Sequence, residues 1–173
     1  MLLIRQETPD DYAAVYALTE AAFRETEHAD GDEQEIAGKL RQKAGYHPEL
    51  SLVAELSGEV VGHILFTEIL IEEHPALCLG IVSVLPRVQG RGIGGALIHA
   101  GHETAKRLGF SLSVLVGHGD YYPRFGYEPV AQYGICFPFD APEDCKLVKF
   151  LDECGKSVQG AAVFPPELTP EGS

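Results

Sequence analysis

Between positions 84 and 95 the chain reads Val84-Leu85-Pro86-Arg87-Val88-Gln89-Gly90-Arg91-Gly92-Ile93-Gly94-Gly95. Without Cβ atoms, Gly90, Gly92 and Gly94 let a backbone curl tightly and approach a ligand closely. Apolar residues before the run read as a strand and those after it as a helix. The free N–H groups of the helix start then converge on one spot, where the helix dipole adds positive potential. Arg91 supplies a full charge beside them. The result is an anion cradle sized for a diphosphate. A plain strand-to-helix turn would not need glycines this dense, since each costs ~1 kcal/mol of helix propensity.

Two nucleotide-binding loops compete for these residues. Gly90-Arg91-Gly92-Ile93-Gly94-Gly95 satisfies G-x-G-x-x-G, so a dinucleotide-binding oxidoreductase is one alternative. That loop should follow its strand at once, yet Arg87-Val88-Gln89 intervene after Pro86. The next strand should also end in an acid for the ribose, whereas residues 111–116 run into Gly117-His118-Gly119, with Asp120 only later. A P-loop is excluded because no Gly-Lys-Ser/Thr occurs.

The elements that must position the cradle follow from periodicity and punctuation. Residues 2–5 read as a first strand. Thr8-Pro9-Asp10-Asp11 opens a helix with a hydroxyl cap, an early proline and acids at the positive dipole end. Val15, Leu18 and Ala22 are its core face, and Ile36 and Leu40 that of a second helix. Residues 51–56 and 60–71 read as strands joined around Ser57-Gly58-Glu59, and 77–85 as a further strand ended by Pro86. Ile93, Leu97, Ala100, Thr104 and Leu108 mark one face of the helix after the cradle, with Lys106, Arg107 and Gly109 as stop signals. Residues 111–116 form the next strand, a short helix follows, and 146–151 and 160–164 are short strands. The order predicts a mixed α/β layer with a helix-covered sheet.

Bulk composition narrows the function. The chain has 173 residues, which fits one domain, and no internal repeat or linker divides it. A formal charge of -13 disfavours nucleic acid and anionic membranes as partners and draws cations, although solubility alone accounts for such an excess. Cys78, Cys136, Cys145 and Cys154 form no CxxC pair, so neither a metal cluster nor a disulfide framework is expected. The start lacks the apolar core of a signal peptide, and a cytoplasmic protein with reduced thiols is expected. His99 and His102, three apart on a helix, have metal spacing but no evident third ligand; they are expected at the surface, and no metal is expected.

On these residues the sequence resembles the GNAT superfamily of N-acetyltransferases, within a bacterial subgroup of uncharacterised members. Their loop has the form Gln/Arg-x-x-Gly-x-Gly/Ala after a strand ending in Val-x-Pro. Val84-Leu85-Pro86 and Gln89-Gly90-Arg91-Gly92-Ile93-Gly94 match each fixed position. A second element, Tyr-x-Lys/Arg-x-Gly-Phe, is matched by Tyr122-Pro123-Arg124-Phe125-Gly126-Tyr127, with Tyr for the final Phe. The resemblance runs from residue 1 to about 133 and fades beyond. It implies one acetyltransferase domain over 1–173, built on a mostly antiparallel sheet with splayed central strands.

The resemblance also implies a division of labour. Val82, Ser83 and Val84 lend backbone groups to the pantetheine amides of acetyl-CoA, as in strand addition. Gln89, Gly90, Arg91, Gly92, Ile93, Gly94 and Gly95 hold the diphosphate. A backbone N–H near Val84 serves the oxyanion. Tyr122, a phenol protonated at neutral pH, suits the acid that protonates the leaving thiolate, in preference to Tyr121; a packing role beside Phe125 and Tyr127 is the alternative. Many members carry a Glu in the strand before the loop, but this chain has Gly80-Ile81-Val82-Ser83. Candidate bases are Glu68, Glu27, His63 and His118, or water; His118 is the most attractive by position and pKa, although a structural hydrogen bond is the commoner fate of such a loop histidine. No cysteine sits at the site, so direct attack by a primary amine in a ternary complex is expected. The acceptor is a small molecule or peptide amine; the acids Glu25, Glu27, Asp30, Asp32, Glu33 and Glu35 suit a cation, though a solvated helix start explains them almost as well. A homodimer through residues 134–164 is a state the resemblance allows. The missing strand carboxylate keeps a second alternative open, a non-catalytic acyl-CoA sensor.

Overall fold

Two tight reversals organise the long strands. β2 (Tyr46–Leu56) turns through Ser57 and Gly58, at φ 52° and 84°, into β3 (Glu59–Ile71). Paired positive φ values match the right-handed twist of the flanking strands, which is the hairpin the sequence predicts. β3 returns as β4 (His74–Val84) through Glu72, at φ 54°, and Glu73. The computed structural model describes residues 1–24, 26 and 29–170. Glu25 and Glu27 of the acidic stretch, the second a candidate base, lie outside the described residues.

Contacts group the chain into two compact units, residues 1–66 with 80–104 and residues 67–79 with 105–173. In the first, β1 (Leu2–Gln6) pairs antiparallel with β2, from Leu2 opposite Leu56 to Gln6 opposite Leu52. A 3-10 turn, Pro9–Asp11, leads into α1 (Tyr12–Phe23). The Asp11 carboxylate accepts the Thr8 N–H at 2.8 Å and is gripped by the Arg5 guanidinium at 2.8 and 2.9 Å. Val15 and Leu18 are buried as the helical spacing requires. Ala37 and Leu40 are buried on α2 (Glu33–Leu40).

α3 (Ile93–Arg107) buries Ile93, Leu97 and Ile98, and Leu97 lies against Gly62 of β3. Gly101 sits directly on the Phe66 ring. One turn of this helix corrects the sequence reading. His102 is 3% exposed, with its ring centroid 5.9 Å from that of Phe66, so it is a core residue and only His99 lies at the surface. Leu108, expected on the buried face, is 40% exposed because the helix has ended at Arg107.

The second unit holds the end of β3 and the start of β4 with β5 (Leu112–Val116), β6 (Glu128–Pro129), β7 (Ile135–Cys136), β8 (Lys146–Phe150) and β9 (Gly160–Val163). Its strands run in the order β4-β5-β8-β6, and β9 pairs with β3 and β7. β4 and β5 are parallel, with Leu77 opposite Ser113 and Cys78 opposite Val114. β5 and β8 are antiparallel over five pairs, from Leu112 opposite Phe150 to Val116 opposite Lys146. Ile69, Leu112, Val114, Phe139, Val148 and Phe164 form its core. The sheet is mixed and mostly antiparallel, as predicted. Among the described residues no helix is long and apolar enough to cross a membrane.

Candidate active site

From Gly80 onward β4 alternates: Ile81 and Ser83 are buried, while Gly80, Val82 and Val84 are half-buried. The strand thus turns one face to the core and leaves the other partly open. The Ser83 hydroxyl lies 3.0 Å from that of Thr19 and ties α1 to this strand. Ser83 therefore has only its main chain to offer a ligand. A 3-10 turn, Pro86–Val88, follows, with Val88 buried as a peg beneath it.

The Gln89 side-chain amide reaches back and donates to the Val84 carbonyl at 2.9 Å. Gly90 and Gly92 then adopt φ 78° and 82°, and a side chain at either would meet open space. Glycine is needed there for the backbone conformation, not for room. The first α-helical bond runs from Ala96 N–H to the Gly92 carbonyl at 3.0 Å. The amides of Ile93, Gly94 and Gly95 precede it, so they have no acceptor within the helix and are free for an anion. Arg87 is paired with Glu59, whereas Arg91 is exposed on the loop. The strand, the turn and the cradle form one continuous arrangement within the first unit.

In the second unit Tyr122 opens a 3-10 turn, Tyr122–Phe125, closed by Gly126 at φ 95°. The N–H groups of Tyr121 and Tyr122 donate to the His118 carbonyl at 3.2 and 3.4 Å. The Tyr122 ring packs edge-on against Tyr121 and Tyr127, with centroids 5.1 and 5.9 Å apart. Burial, with the neighbouring Tyr121 as a smaller contribution, pushes the Tyr122 phenol well above the usual tyrosine range. Like any tyrosine it is protonated at neutral pH, and the shift makes it a weaker acid. Tyr121 carries the Arg124 guanidinium 5.0 Å above its ring. Tyr127 is 2% exposed, and its hydroxyl lies 3.0 Å from that of Ser113.

The candidate bases differ in what they can reach. His63 is completely buried on β3, with Nε2 3.0 Å from the Ser51 hydroxyl and 3.5 Å from a Glu7 oxygen. Ser51 donates its proton to Glu7 at 2.8 Å, so His63 must be the donor in its contact with Ser51 and carries its hydrogen on Nε2. Burial lowers its pKa to about 4. Arg41 completes this network with bonds of 2.7 and 3.2 Å to Glu7. His63 thus belongs to a closed internal cluster. His118 is exposed and Glu68 half-buried. Nothing in the sequence signalled the Glu7–Arg41–Ser51–His63 cluster: Ser51 and His63 lie on β2 and β3, and Glu7 and Arg41 just beyond the ends of β1 and α2. Late in the acidic stretch, the Glu33 carboxylate accepts the N–H groups of Asp30 and Gly31 at 2.6 and 3.1 Å and so closes the turn that leads into α2.

A mixed, mostly antiparallel sheet whose fourth strand runs through an amide cradle into a helix defines an acetyltransferase of the GNAT class. A family model described as acetyltransferase (GNAT) domain matches residues 3–130, and the chain belongs to that family. It is 37% identical over 119 residues to the uncharacterized N-acetyltransferase YjhQ of Escherichia coli (strain K12), a match spanning 66% of each chain. A GNAT family acetyltransferase from Brucella melitensis, solved in complex with acetyl-CoA, is 34% identical with a TM-score of 0.81, over 98% of this chain and 99% of that one. The GNAT family N-acetyltransferase YhbS from Escherichia coli, solved with CoA, has a TM-score of 0.87 at 23% identity, over 99% and 93% of the two chains, and shares the fold. Family membership sets aside the dinucleotide-binding alternative.

Proposed function

We propose that residues 1–173 act as one N-acetyltransferase domain that moves an acetyl group from acetyl-CoA to a primary amine of a small molecule or peptide. The cradle carries this reading: main-chain amides at the α3 start, two left-handed glycines and Arg91 suit the diphosphate of CoA. The relative from Brucella melitensis, solved with acetyl-CoA, supports the choice of ligand. Val82, Ser83 and Val84 supply main-chain partners to the pantetheine amides; β4 pairs with β5 at Leu77 and Cys78, which suits strand addition along the edge beyond them.

The reaction needs a neutral amine, an oxyanion donor and a proton for the thiolate. The amine nitrogen attacks the thioester carbonyl, the C–N bond forms, and a backbone N–H near Val84 stabilises the oxyanion. Collapse breaks the C–S bond, and Tyr122 protonates the departing sulfur. The proton lost by the amine goes to water or to His118. A net charge of -13 favours a cationic acceptor. The cytoplasmic location, in keeping with four free cysteines, belongs to the same proposal.

Because Gly80-Ile81-Val82-Ser83 holds no carboxylate, a non-catalytic acyl-CoA sensor is the second reading. Release of CoA thiol across a panel of amines decides between them. Amine-dependent release supports the transferase; binding of acetyl-CoA with no release on any amine supports the sensor.

A further inference from the structure

We propose that Gly117 is a positioning residue for Tyr122: the absence of its side chain is the slot in which the Tyr122 ring lies. The inference rests on the acid role of Tyr122 for its catalytic consequence, but its geometry stands independently. Gly117 is not among the glycines at positive φ, so its backbone asks for no special residue. What it lacks is room. A Cβ built on Gly117 would lie 2.5 Å from Cε2 and 3.0 Å from Cδ2 of Tyr122, and 3.2 Å from Cδ1 of Leu115. Nonbonded carbons rest at about 3.5–4.0 Å, so something must give by roughly 1 Å.

The neighbours decide what moves. Gly117 continues directly from β5, and its N–H is fixed to the Cys145 carbonyl at 2.9 Å. Leu115 is 1% exposed within the core. Tyr127, another wall of the slot, is buried and held through Ser113. The Tyr122 main chain is tied to His118. Only the Tyr122 ring is left to swing, about its side-chain torsions. Cε2 is bonded to the carbon that carries the hydroxyl, so the hydroxyl is displaced with it. A misplacement of about 1 Å in a reacting group can cost on the order of 100-fold in rate.

The test compares Gly117→Ala, Tyr122→Phe and the double variant on an amine that the parent acetylates. Gly117→Ala is expected to lower kcat by roughly 10- to 100-fold with the acetyl-CoA KM changed by less than about 2-fold. The double variant is expected to be no slower than Tyr122→Phe alone. Losses that multiply would mean that Gly117 acts elsewhere and would overturn the proposal. Alkaline titration of the phenol absorbance reads the slot without activity. Gly117→Ala should move the ionisation of one tyrosine down toward the ordinary range, and adding Tyr122→Phe should remove that change. An unchanged titration curve overturns the slot. Should Tyr122→Phe alone turn over as fast as the parent, the acid role fails while the titration still judges the geometry. If Gly117→Ala folds poorly, Tyr122→Leu in the same chain must restore its melting temperature; no recovery contradicts the slot.

Discussion

The side-chain amide of Gln89 donates a hydrogen bond to the main-chain carbonyl of Val84, 2.9 Å away, and so ties the cradle to the end of the strand before it. The residue that opens the loop motif braces the loop with its side chain. Gln89→Ala should weaken acetyl-CoA binding by roughly 10-fold, because the ligand must then order a loop that Gln89 holds in place beforehand. Because Gln89 is exposed, the melting temperature should hardly change. Gln89→Glu should be worse, since a carboxylate repels the Val84 carbonyl. Calorimetric titration with acetyl-CoA checks both variants.

Two arginines flank the cradle with different commitments. Arg87 is engaged with Glu59, and Arg91 is exposed on the loop. Arg91→Ala should raise the Kd for acetyl-CoA by about 5- to 20-fold and flatten its salt dependence, as loss of a charge-assisted contact to a diphosphate requires. Arg87→Ala should leave both nearly unchanged. Titrations at two ionic strengths distinguish them.

The strand–turn–helix geometry of this loop was legible because its information is local: a strand end, four glycines and a helix start lie within twelve residues of chain. The Ser57-Gly58 reversal was legible for the same reason. Glu72-Glu73 carried no Gly or Asn, so the second hairpin left no turn signature, and the β2 residues before Ser51 were hidden by Pro48. His102 was misjudged because the buried stripe of α3 is wide enough to include Ile98 and His102 beside Leu97. The Glu7 cluster was invisible for a deeper reason. Glu7 meets Arg41 and Ser51 from 34 and 44 residues away, and only folding brings such partners together.

Acid should expose the buried histidine. The folded His63 pKa, about 4, lies below its unfolded value of 6.5, so the unfolded chain binds more protons between those limits. Stability should fall as the pH drops from 6.5 to 4, by up to about 3 kcal/mol from this group. Asp11, held near a pKa of about 2 by Arg5 against 3.8 unfolded, withdraws its share from pH 3.8 to 2. Denaturant unfolding of the parent and His63→Gln across pH 4–7 measures the first window. The variant should show the shallower slope.

At Gly101 helix propensity and packing oppose each other. An Ala there gains about 1 kcal/mol of helix propensity, but its Cβ would run into Cε2 of Phe66 and lie 2.9 Å from Cζ. Overpacking of a core ring costs about 1–3 kcal/mol, so Gly101→Ala should be net destabilising. Adding Phe66→Leu should recover part of the loss. Thermal unfolding of the two variants checks the sign.

The central claim is that the β4–α3 cradle binds the diphosphate of acetyl-CoA. Calorimetric titration of acetyl-CoA into the parent and into Gly92→Val tests it most directly, since a β-branched residue resists the φ of 82° found there. Saturable binding by the parent is expected, with at least a 100-fold weaker Kd for the variant and a melting temperature lowered by roughly several degrees by the backbone strain. Equal affinity in the two proteins, or no binding by the parent, would contradict it.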